Sequence, residues 1–109
     1  MKFTSDDRVA LLKCYGAKDG DKASTDEAVK QLALDMRQLE EAADVTIYEL
    51  CDADGIHVIQ RVSRETAISL LGREVWLSGL VRSAFHWNAA RQTADGKNYV
   101  MFNSRALFK

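Results

Sequence analysis

The sequence contains no proline, where average usage is about 5%. Without it, helix stops and rigid turns must come from glycine and aspartate. Glycine is itself sparse: the six lie at positions 16, 20, 55, 72, 79 and 96. They form neither GxGxxG nor GxxxxGK followed by serine or threonine, so the pattern excludes the usual phosphate-cradling loops and predicts no nucleotide or other cofactor. There are two cysteines, Cys14 and Cys51, and two histidines, His57 and His86. None of the four is closely paired in sequence, which predicts no metal site. The first residues, Met1 to Arg8, lack an apolar stretch of the signal-peptide kind, and no run approaches the ~20 apolar residues of a membrane span. The expectation is a cytoplasmic chain that does not enter a membrane, with reduced thiols and no disulfide.

What is present is ordinary globular material. Of 109 residues, 47% are apolar and 28% charged, enough to build one core and too few residues for two domains. The expectation is a single domain over residues 1–109. The net charge of −1 hides an asymmetry. Residues 1–55 carry 13 acidic and 7 basic side chains, and residues 56–109 carry 3 acidic and 8 basic ones. Such polarity suits a nucleic-acid surface. It also suits two halves that attract each other within the fold, or two copies packed head to tail.

Along the chain, Thr4 or Ser5 is placed to cap a first helix, with Asp6 and Asp7 at the positive end of its dipole. Val9, Leu11, Leu12 and Tyr15 supply its apolar side, Gly16 its stop, and Ala17 to Lys22 a polar loop. Ser24 or Thr25 is placed to cap a second helix. Its apolar positions, Val29, Leu32, Met36, Leu39 and Ala43, run as a short heptad seam. That seam fits a helix lying on a sheet, or a helix that pairs with a second copy.

Val45 to Cys51 and Ile56 to Val62 read as strands around Asp54-Gly55, the favoured pair for a two-residue type I′ turn. This register sets Cys51 opposite Val58, Leu50 opposite Ile59, Tyr48 opposite Arg61, Ile47 opposite Val62 and Asp52 opposite His57. It buries Ile47, Cys51, Val58 and Val62 on one face. Ser63 then caps a short helix to Leu71, broken by Gly72. Beyond it, Leu77, Leu80, Val81, Ala84 and Phe85 form a helical stripe. Residues 85–88 also fit a strand that would pair across 94–97 with Asn98 to Asn103. The helix is the preferred reading there, and Tyr99 to Phe102 is a strand in both. The tail, 104–109, is apolar enough to dock. The predicted fold class is α+β: a small single domain with N-terminal helices, a central β-hairpin, and an antiparallel sheet of three or four strands with helices on one face.

No catalytic residue is predicted. A Cys51–His57 couple fails because the hairpin register puts the two on opposite faces, and Cys14 with His86 cannot be placed from sequence. Asp52 and His57 form a possible functional pair, since a carboxylate beside an imidazole orients it and raises its pKa. Arg61, Arg64, Arg73, Arg82 and Arg91 interleave with aromatic residues and are the candidate nucleic-acid contacts, arginine for phosphate and aromatics for bases. The acidic second helix, with Asp26, Glu27, Asp35, Glu40, Glu41 and Asp44, could meet a basic partner. The resulting expectation is a non-enzymatic interaction or regulatory module, acting as a homodimer or with a protein partner. A nucleic-acid-binding protein is the alternative, and a small enzyme using Asp52 and His57 the third reading.

Overall fold

The structure, a computed structural model, describes residues 2–15, 22–85 and 88–103; for residues 22–25, 88 and 103 it describes the backbone alone. The helix stop at Gly16, the loop at 17–21, His86, Trp87 and the tail at 104–109 lie outside the described residues. Four helices and four strands run in the order α1 (Ser5–Cys14), α2 (Lys22–Ala43), β1 (Ile47–Cys51), β2 (Val58–Ser63), α3 (Arg64–Leu71), α4 (Arg73–Phe85), β3 (Asn88–Gln92) and β4 (Tyr99–Asn103). The strands form one antiparallel sheet in the order β2-β1-β4-β3. The class is α+β, as the sequence predicts. No helix among the described residues is long and apolar enough to cross a membrane.

Local chemistry explains where the helices begin. Thr4 caps α1: its side chain accepts from the Asp7 N–H while Asp7 accepts from the Thr4 N–H, a reciprocal box. Ser63 caps α3 by accepting from the Thr66 N–H. Gly72 ends α3 with a φ of +87°, a conformation glycine adopts without penalty. The second helix departs from expectation. It starts at Lys22, so Ser24 and Thr25 lie inside it rather than capping it.

One cluster of buried apolar side chains draws on every helix and every strand. Trp76 of α4 is fully buried at its heart, and its indole N–H donates to the Tyr48 hydroxyl at 3.1 Å. Tyr48 in turn meets Phe102 edge to face, at 5.4 Å between centroids. Gly79 lets α4 lie close on the sheet: a Cβ there would collide with the Phe102 ring. The α2 seam packs inward, with Leu32, Leu39 and Ala43 buried in this cluster and only Val29 left exposed. The heptad spacing therefore serves the chain's own core.

The hairpin forms, but its turn and register differ from the sequence expectation. The reversal is centred on Ala53-Asp54, closed by the Gly55 N–H donating to the Asp52 carbonyl at 2.9 Å. Gly55 follows the turn with a φ of +72°. Cys51 faces Val58 as expected, and Asp52 and His57 are joined through the backbone. An irregularity between Leu50 and Cys51 then shifts the ladder by one residue. Tyr48 faces Val62, Glu49 faces Arg61 and Leu50 faces Gln60. One inserted residue exchanges the faces of everything beyond it. Hence Tyr48 is buried and Ile47 exposed, the reverse of the expected assignment. Val58, on the turn side of the irregularity, is also exposed, while Cys51 and Val62 are buried as expected. The region 84–92 divides between both readings, with α4 running to Phe85 and β3 beginning at Asn88.

Candidate functional site

The helices pack on the sheet face that carries Tyr48, Val100 and Phe102. Alternation along paired strands puts Ile47, Glu49, Arg61 and Met101 on the opposite face. At one end of the sheet, β2 has no strand on its outer side among the described residues. Every residue of β2 except Val62 is exposed. Around this edge gather four exposed aliphatic side chains, Ile47 (53%), Ile56 (73%), Val58 (49%) and Ile59 (56%). Arg61 is the only charged residue in β2.

At the hairpin tip, the His57 imidazole hydrogen-bonds Asp54 rather than Asp52, whose charge adds to the rise in the ring's pKa. The imidazole Nδ1 lies 2.6 Å from an oxygen of Asp54. Asp54 also accepts from the Ile56 and His57 N–H groups, while Asp52 accepts from the Asp54 N–H. These backbone donors, the Asp52 side chain and the ring hold the Asp54 carboxyl well below its ordinary range. The same carboxylate raises the His57 pKa above its ordinary value, first through the hydrogen bond and then through its charge. Asp52, Asp54 and His57 bring one ligand atom each within 4.8 Å of one another. They are the described residues best arranged to touch a cation, although much of Asp54's accepting capacity is already used on the loop. Sequence spacing missed Asp54 as the histidine's partner. An aspartate two residues before two successive loop N–H groups is the signal that would have found it.

The arginines fall into separate neighbourhoods. Arg73 makes a two-pronged pair with buried Asp7, Nε to Oδ1 at 2.7 Å and Nη2 to Oδ2 at 2.9 Å, and lies over the Trp76 ring. Its guanidinium, ahead of the Thr4 bonds, lowers the Asp7 pKa against the opposing effect of burial. Arg64 donates to the Ala43 carbonyl at the end of α2. Both contacts join the acidic half of the chain to the basic half. Arg61 lies on the sheet face away from the helices. Of these five candidates among the described residues, only Arg82 and Arg91 come together, beside Cys14, Ser78, Val81 and Phe85.

The thiols are free and differently placed, Cys14 exposed and Cys51 buried. Burial raises the pKa of both; Arg91 partly opposes this at Cys14. Cys51 is therefore shielded from the His57 ring, which stands in solvent. His86 lies outside the described residues, so its relation to Cys14 does too. Comparisons with known protein families, with curated proteins and with solved structures gave no match to this chain.

Proposed function

We propose that this chain is a non-enzymatic interaction module that pairs with a second copy of itself along the open edge of β2. The observation that carries the reading is an edge strand exposed at every position but Val62, with Val58 and Ile59 among its outward side chains. A free edge offers a row of backbone donors and acceptors to another strand. Pairing two β2 strands antiparallel about a two-fold axis uses the same patch on both copies, which closes the assembly. It would also cover Val58 and Ile59 on each side. The distribution of the arginines favours this edge over an extended phosphate-contacting surface, because among the described candidates only Arg82 and Arg91 converge. A reducing, cytoplasmic setting suits a chain whose two thiols stand unpaired.

Light scattering across a hundredfold concentration range tests the reading. The wild-type chain is expected at twice the monomer mass at the upper end. Ile59→Lys, which places a charge on the edge, is expected to remain at the single-chain mass throughout. A wild-type chain that stays monomeric over the whole range overturns the proposal.

A further inference from the structure

The last turns of α4 place Ser78, Val81, Arg82 and Phe85 at i, i+3, i+4 and i+7, hence on one side of the helix. With Arg91 from β3 and Cys14 from the end of α1, they line a groove of about 360 Å³. That volume lies within the range of small-molecule sites. No carboxylate lines it among the described residues. Glu74, one turn before Ser78, is near enough to raise the Cys14 thiol but is not part of the lining.

Two guanidinium groups reach this groove without a counter-charge among the described residues. Arg91 is held in place by neutral partners. Its Nε donates to the Ser78 hydroxyl at 3.0 Å and one Nη to the carbonyl of Ala90 at 2.9 Å. Ser78 is itself fixed, donating to the Val75 carbonyl at 2.7 Å. At least one N–H on each Nη of Arg91 stays free to donate. Arg82 is exposed one turn after Ser78 and is not joined to any acidic side chain among the described residues. Its charge offsets the negative end of α4 and remains available to a ligand. Beside the two cations, Val81 and the half-exposed Phe85 form an apolar wall.

We propose that this groove binds a phosphate monoester carried on a small apolar or aromatic body. The doubly charged headgroup matches two guanidiniums, each able to donate to two oxygens. The body would lie against Val81 and Phe85. A single-headed anion without a body would leave that wall unused, and an apolar compound without a charge would leave both arginines unpaired.

Cys14 provides the readout, because it lines the groove and is exposed while Cys51 is buried. Phenyl phosphate is titrated into the intact protein at mildly alkaline pH, and alkylation of Cys14 by iodoacetamide is followed by mass spectrometry. The expected result is saturable protection of Cys14, weakened about tenfold or more by Arg82→Ala. Arg61→Ala, on the other face of the sheet, is expected to leave protection unchanged. A second titration, following the ³¹P resonance of phenyl phosphate, is expected to give the same midpoint. Absence of protection up to about 10 mM ligand, or equal protection by inorganic phosphate, overturns the proposal. So does a single-stranded oligonucleotide that protects Cys14 at lower concentration than phenyl phosphate with the same dependence on Arg82, since the groove would then belong to a nucleic acid.

Discussion

β3 and β2 both end the sheet, and they meet solvent with different side chains. β3 is Asn-Ala-Ala-Arg-Gln, and α4 lies along it. Its arginine is tied to Ser78, and the turn that follows is tied to α3 by the Ala94 N–H donating to the Leu70 carbonyl. β2 touches α3 at its end but carries Val58, Ile59 and Arg61 in the open. The contrast shows that exposure of an edge is a property of what packs beside it. Two strands of similar length at opposite ends of one sheet are left with quite different chemical surfaces. α4 places Trp76, Leu77 and Leu80 in the core, whereas β2 contributes Val62 alone.

Substitutions that disturb the α4 side should therefore cost far more than those at the hairpin. The largest effect is expected from Arg73→Ala, which leaves the Asp7 carboxylate buried without its cation. Chemical denaturation should show a loss of about 3 kcal/mol near neutral pH. Because Asp7 titrates below its ordinary 3.8 in the folded chain, the pair contributes fully above that pH and fades as pH falls through the folded value. The gap between wild type and variant should accordingly narrow in acid. A gap that stays constant from pH 7 to pH 2 would remove the ion pair from the account.

Gly79→Ala comes next. The added methyl group drives into the Phe102 ring, and the strain of such overpacking is about 2 kcal/mol, read as a lower denaturation midpoint. An unchanged midpoint would mean that α4 stands clear of the Phe102 ring. The smallest effect is expected at the hairpin tip. His57 should titrate above 6.5 by NMR and return towards 6.5 in Asp54→Asn, with little change in the unfolding midpoint. Since the folded pKa is raised, whatever the contact contributes is present below 6.5 and is lost as pH rises through the folded value. A His57 midpoint unmoved by Asp54→Asn would put the cause of the shift elsewhere.

The same contrast marks what could be read without coordinates. Thr4, Ser63 and Gly72 announced helix ends because capping needs only neighbours in the chain. The β-rich run at Tyr99 to Phe102 was legible for a similar reason. The hairpin was half legible. Asp54-Gly55 marked a reversal, but the aspartate side chains bond the loop backbone and support a longer turn. The one-residue irregularity beyond it inverted the predicted faces of Ile47 and Tyr48. The α2 seam could not reveal whether it packs on its own sheet or on another copy, since both need the same spacing. The groove was out of reach. Cys14, Ser78, Arg82 and Arg91 meet only because α1, α4 and β3 pack together, and no local pattern records that meeting.

The strand order β2-β1-β4-β3 has a further consequence for growth. A ribbon that lengthens without limit needs a sticky margin at both ends of every unit. Here the two margins differ in what lies beside them, α4 along β3 and exposed aliphatic side chains along β2, so the two ends offer unlike surfaces to an added strand. Growth from one end would then be favoured over growth from the other, a bias written in the placement of one helix.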